Sequence, residues 1–131
     1  MSYSESYDQC MAQKGLPLLG EIFSRKTLSE AVEIIHEIHS AIEAAGGEEI
    51  TLAALAAAGP TLGLSADALE VVGVLAGAAA NLAVGLYISA AISCLATAVI
   101  KENLFSELEA APDGFVKDGI QAEAQAGTAV A

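Results

Sequence analysis

Two histidines follow a glutamate at helical spacing, Glu33-x-x-His36-x-x-His39. Glu-x-x-His is the pattern by which di-iron helix bundles present a carboxylate and an imidazole to one metal. That chemistry needs further carboxylates at core positions of facing helices, and the chain offers none. The three residues are therefore expected on a solvated polar face, with no metal and no cofactor. Ser89, Ser93 and Cys94 carry nucleophilic atoms, but they sit in an apolar run, away from both histidines. A phosphate loop, a dinucleotide fingerprint and a nucleophile elbow are all missing. The chain is read as non-enzymatic. His36, His39, Asp67 and Glu70 remain as candidate pH sensors. Imidazoles titrate near pH ~6.5 and carboxylates lower. With 17 acids against 5 bases, acidification moves the net charge of −12 steeply toward zero.

The longest feature is the thirty-residue run Val71 to Ile100, which contains no charged side chain. Small or polar residues recur at every fourth position: Gly73, Gly77, Asn81, Gly85, Ser89, Ser93 and Thr97. As one helix the run would be about 45 Å long, against a hydrocarbon core of roughly 30 Å. Residues four apart share a helix face. The seven positions are expected to form a membrane and oligomerisation seam of low bulk, opened by the Gly73-x-x-x-Gly77 motif. The second half, Leu82 to Ile100, is the better span. Its large aliphatics favour insertion by roughly 2 to 5 kcal/mol, opposed by Gly85, Ser89, Ser93 and Thr97. A span this marginal can stay folded in water and insert when conditions change. The competing reading is a buried helix of an Ala-rich soluble bundle.

The surrounding elements follow from periodicity and punctuation. Residues 1–27 read as an N-terminal arm. Thr27-x-x-Glu30 is a capping box for a helix over 28–45, and Gly46-Gly47 stops it. Its stripe is Leu28, Ala31, Ile35, Ile38, Ile42 and Ala45, widened by Val32 and Ile34. A short helix over 49–58 ends at Gly59-Pro60. Ser65 is an N-cap with Asp67 in the first turn behind it. Asp67 and Glu70 form a polar divider ahead of the long run. The helix is expected to continue through Lys101 to Ala111, before the turn Pro112-Asp113-Gly114. Residues 112–131 hold little bulk and read as a flexible tail. The fold class is all-α: a compact bundle of residues 28–111 around an apolar segment, 50–100, that forms a long central helix or a helical hairpin.

A hydrophobic fraction of 54% in 131 residues, with a mean hydropathy of +0.54, is high for a soluble domain. The acidic balance argues against nucleic acid and against adsorption to anionic lipid at neutral pH. Cys10 lies in the arm and Cys94 in the apolar run, so no disulfide framework is expected, and a reducing cytoplasm is the default origin. The N-terminus lacks a basic segment followed by an apolar one, so no secretory signal peptide is read there.

This plan resembles the colicin-like pore-forming toxins and effectors of bacteria, in which amphipathic helices shield a hydrophobic hairpin. The likeness rests on the 28–45 helix, the Asp67–Glu70 divider and the Val71–Ile100 run. Through Gly73, Gly77 and Gly85 the chain is also similar to small glycine-zipper effectors delivered between bacteria. The resemblance implies export by a specialised secretion system, a cognate immunity protein and ion leakage through a target membrane; self-association is expected from the seam, and a lipid membrane and a secretion chaperone are further expected partners. The chain departs from the pattern at Gly59-Pro60, at Asn81 and in its shorter length. The expected function is a small membrane-active effector that oligomerises along the seam. The alternative is a non-enzymatic soluble interaction bundle whose apolar centre is ordinary core.

Overall fold

The computed structural model describes residues 2–130 and is all-α. The described helices are α1 (Tyr3–Gln13), α2 (Gly20–Phe23), α3 (Leu28–Ala45), α4 (Leu52–Ala58), α5 (Ala66–Ala79), α6 (Val84–Glu102), α7 (Phe105–Glu109) and α8 (Phe115–Val130).

Helix starts follow local chemistry. The Thr27 hydroxyl accepts from the Glu30 N–H, while the Glu30 carboxylate accepts from the Thr27 N–H at 2.8 Å, closing the capping box of α3. Gly46, at φ +118°, ends α3 in the left-handed region that glycine adopts without a Cβ penalty. The Ser65 and Thr51 hydroxyls accept from the Ala68 and Ala54 N–H groups and so cap the starts of α5 and α4. Ser2 and Glu5 form a second capping box, which starts α1. Other termini are closed from a distance. Asp8 of α1 accepts from the Leu19 N–H at the start of α2 (3.1 Å), and Glu107 of α7 accepts from the Leu28 N–H of α3 (2.8 Å).

Packing divides the chain into two regions. In the first, α6 is sheathed by α1 on one side and α8 on another, with α3 closing the layer. Tyr7, Phe23, Leu28, Ile35, Leu95 and Val99 are fully buried there. In the second, α4 packs on α5, and α5 touches α3. The base of this α4–α5 lobe is stitched by backbone bonds. Leu52 N–H donates to Leu82 O (2.9 Å), Ala53 N–H to Ala80 O (3.0 Å), Val84 N–H to Ile50 O (2.8 Å) and Gly85 N–H to Glu48 O (3.0 Å).

Of the two forms expected for the 71–100 region, a single central helix or a pair, the structure has the pair: the chain leaves helical geometry between Ala79 and Val84, because backbone groups there bond to residues 48–53 instead of to the next helical turn. Three expectations are corrected. The 1–27 arm is two helices, anchored by Tyr3, whose hydroxyl donates to Phe23 O (2.7 Å) and Lys26 O (2.8 Å). The 112–131 tail is the helix α8, which buries Val116, Ile120 and Ala124 along one face. Two observations explain its docking. A Cβ on Gly119 would stand 3.0 Å from Ile92, so the missing side chain is what lets α8 approach α6. Lys117, nearly buried, donates to Glu109 O (2.8 Å), Ala111 O (3.1 Å) and the Asp113 carboxylate (3.0 Å), and so ties the end of α7 to the start of α8. The helix expected to run on to Ala111 also stops early, at Asn103, which adopts φ +53° as a left-handed cap.

Candidate functional site

Of the seven seam positions two lie on α5, four on α6 and one in the connection between them. On α5, Gly73 and Gly77 are exposed, and a Cβ on either would meet nothing within 4 Å. Asn81 is exposed in the α5–α6 connection. On α6, Ser89 is exposed and Ser93 and Thr97 are half-buried, with the Thr97 hydroxyl bonded back to Ser93 O at 3.1 Å. Gly85 differs from the rest. A Cβ there would stand 2.6 Å from the Glu48 Cβ and 3.0 Å from its carbonyl oxygen, so this glycine is required by the crossing of residues 48–50. The structure therefore brings no two seam-bearing helices together: α5 pairs with α4, and α6 with α1 and α8.

Large aliphatics take the opposite face. Ten of the 19 residues of α6 are buried, among them Val84, Ile88, Ile92, Leu95 and Val99. Among the described residues α6 is the one helix long and apolar enough to cross a membrane. Leu86 and Val74 are large apolar side chains left exposed beside the stripe.

The four candidate pH sensors fall into two places. Asp67 pairs with Lys26 at 2.9 Å, and Glu70 with Arg25 at 3.8 Å, so the divider fastens the start of α5 to the α2–α3 connection. The hydrogen bond it donates to Asp67 holds the Lys26 ammonium above its ordinary value. His36 and His39 are not on a solvated face, as the sequence predicts; α8 covers them. His39 stacks on Phe115 with ring centroids 4.5 Å apart, and its Nδ1 lies 3.1 Å from the Glu43 carboxylate. The His36 ring fills the space where a Cβ of Gly114 would stand, and its buried Nδ1 has no hydrogen-bond partner. Their burial was illegible from the sequence because the covering helix was read as a tail.

One site was missed altogether. Cys10 and Cys94 form a disulfide across α1 and α6, with Cα atoms 5.5 Å apart. This corrects the expectation of unpaired thiols. The bond closes 84 residues of sequence, and by the chain-entropy argument it stabilises the fold by about 4 to 5 kcal/mol. One turn before Cys10 on α1 and two turns before Cys94 on α6, the hydroxyls of Tyr7 and Tyr87 meet at 2.8 Å in the core. Burial, reinforced for Tyr7 by the neighbouring phenol, pushes both well above the ordinary tyrosine range. Tyr3 is raised by burial and by the nearby carboxylates of Glu107 and Glu30. Burial likewise raises Asp8, against the pull of the Leu19 and Gly20 N–H groups. The capping contacts of Ser2 and Thr27 lower Glu5 and Glu30.

Among the described residues no three His, Cys, Asp or Glu side chains converge as a metal-binding group. Compared with known proteins, the chain matches no family model, no curated protein and no solved structure.

Proposed function

We propose that the protein is a small, non-enzymatic membrane-active effector held in a closed, water-soluble form. The observation that carries this reading is the chemistry of the exposed stripe on α5 and α6. Every other long helix turns charged side chains to water: Glu5 on α1, Glu33 and Glu43 on α3, Asp118 and Glu123 on α8. Between Glu70 and Lys101 the exposed positions are instead Gly, Ala, Asn and Ser, with Val74, Leu86 and Ile100. Such a face is uncharged enough to enter lipid.

The amphipathicity is reversible between two solvents. In water the Val, Leu and Ile face is core and the small residues look out. In a bilayer the same aliphatic face would meet lipid, and Gly73, Gly77, Ser89, Ser93 and Thr97 would line helix–helix contacts with a second copy. The start of α5 is fastened to the α2–α3 connection by two ion pairs, Asp67–Lys26 and Glu70–Arg25. Lowering the pH reduces the net negative charge that opposes approach to anionic lipid. The partners on this reading are a lipid membrane and further copies of the chain, with an immunity protein or chaperone on the producing side.

A specific observation favours the second reading, a soluble interaction bundle: the span-length helix is mostly buried and is cross-linked to its neighbour. Dye release from liposomes separates the two. Release that rises between pH 7.5 and 4.5, and that Gly77→Leu abolishes without unfolding the protein, is the expected result. No release at any pH, with helicity retained and with the protein tested both oxidised and reduced, would leave the interaction bundle as the function. Gly77 is the position for this test, because its side chain would project into open space, whereas Gly85→Leu would strike the Glu48 backbone.

A further inference from the structure

The Cys10–Cys94 bond joins α1 to the middle of α6, the helix of membrane length. We propose that it is a redox latch: a small dithiol reductant opens it, α1 leaves its place, and the inner face of α6 is uncovered. The release of α1 is argued from the fold alone; its use, the freeing of a spanning helix, rests on the membrane-active reading above.

The geometry singles out α1 as the cover. Its most extensive packing is against α6; it also touches α2 and the residues flanking it, where Tyr3 donates to Phe23 O and Lys26 O and Asp8 accepts from the Leu19 N–H. It buries Tyr7 and Met11 in the shared core. Besides the disulfide, its polar ties to α6 include the Tyr7–Tyr87 hydroxyl pair and the hydrogen bond from the Ser6 hydroxyl to Glu102 at 3.2 Å. Helices α3 and α8 hold the other sides of α6 without any covalent bond. One cross-link therefore separates a covered α6 from one whose cover is retained by side-chain burial and a few hydrogen bonds.

The chemistry has a direction. Cys94 is fully buried, while Cys10 is half-buried at the surface of the bundle. A reductant thiolate reaches the Cys10 Sγ, and a mixed disulfide forms there. The Sγ–Sγ bond breaks, its electron pair leaves on the Cys94 Sγ, and that sulfur takes up a proton, because the apolar interior disfavours the thiolate. The second thiol of the reductant then displaces Cys10 as a thiolate and leaves as a cyclic disulfide. Two electrons pass from the dithiol to the two cysteines.

The test is amide hydrogen exchange on the full chain, oxidised and then reduced with dithiothreitol, with circular dichroism as the check on folding. Exchange across residues 3–13 is expected to rise at least tenfold on reduction, to stay nearly unchanged in α4, α5 and α8, and to return on reoxidation. Unchanged exchange in α1, or loss of helicity throughout, would overturn the latch. The same samples, with Cys10→Ser and Cys94→Ser, are then added to vesicles of phosphatidylcholine and phosphatidylglycerol at one acidic pH. Release by the reduced protein and by both variants, but not by the oxidised protein, supports the whole inference. Equal release by oxidised and reduced protein overturns the latch and leaves the membrane-active reading standing. Opening of α1 with no release from any sample keeps the latch and overturns that reading.

Discussion

Gly73 and Gly77 on α5 look out into solvent, whereas Gly119 and Gly127 on α8 lie beneath side chains of α6. Both pairs interrupt helices, where glycine is a poor residue on propensity alone. On α8 the cost is offset by close packing: a Cβ at Gly119 would stand 3.0 Å from Ile92, and one at Gly127 would stand 2.7 Å from Ile100. On α5 no packing offsets it in this fold. A glycine that weakens its own helix and touches nothing is not explained by the closed bundle, and this sets the α4–α5 lobe apart from the cross-linked region around α6. One region is fixed by burial, a disulfide and deep tyrosines. The other is held by backbone bonds at its base, its α3 contact and two ion pairs at the head of α5.

Alkali gives the largest expected difference between the regions. The phenols of Tyr3, Tyr7 and Tyr87 are all raised, mainly by burial, and all lie in the region around α6. A phenol that holds its proton more tightly when folded contributes stability that is complete below the unfolded value of about 10 and is lost as pH rises beyond it. Unfolding of the α1–α6 region above that pH should therefore coincide with tyrosinate absorbance. Tyrosinate forming near pH ~10 in a fully helical protein would contradict the buried hydroxyl pair.

Gly119→Leu comes next. It forces a side chain between α8 and α6, and a loss of about 3 kcal/mol in urea melts is expected. The same change at Gly77 should cost far less, and equal losses at the two sites would erase the contrast between the helices. Lys117→Met tests the α7–α8 junction at lower amplitude. It leaves two carbonyl groups without their ammonium donor, for an expected loss of about 2 kcal/mol. An unchanged melting curve would mean that Lys117 does not tie α7 to α8. The smallest effect has the opposite sign. Gly73→Ala and Gly77→Ala should each stabilise the soluble form by about 0.5 to 1 kcal/mol, because they improve helix propensity in open space. Destabilisation would show that the α5 stripe is already packed against something in solution.

Much of the local structure was legible in the sequence. The capping box Thr27–Glu30, the stop at Gly46 and the cap at Ser65 stand where their residue types place them, because each rests on hydrogen bonds within a few residues. Ser2-x-x-Glu5 is an equally local signal of the same kind, inside the segment that composition reads as an arm. Helix α8 is hidden for a different reason. Its buried stripe, Val116, Ile120 and Ala124, is narrow, so its low bulk reads as lack of core. The Cys10–Cys94 pair carries no local signal, since 84 residues separate its partners.

By itself, then, the sequence determined an all-α chain, the starts of its main helices and the grouping of the 71–97 small residues at helical intervals, since these depend on neighbours in the chain. Only the tertiary structure decided that this grouping is split between α5 and α6, with Gly73, Gly77, Asn81 and Ser89 turned outward. Spacing places residues on one helix face, but glycine, serine and threonine are compatible with a close contact and with water alike. The choice falls to the larger residues on the opposite faces, Val71, Val72 and Leu75 of α5 and Ile88, Leu95 and Val99 of α6, which take the interior.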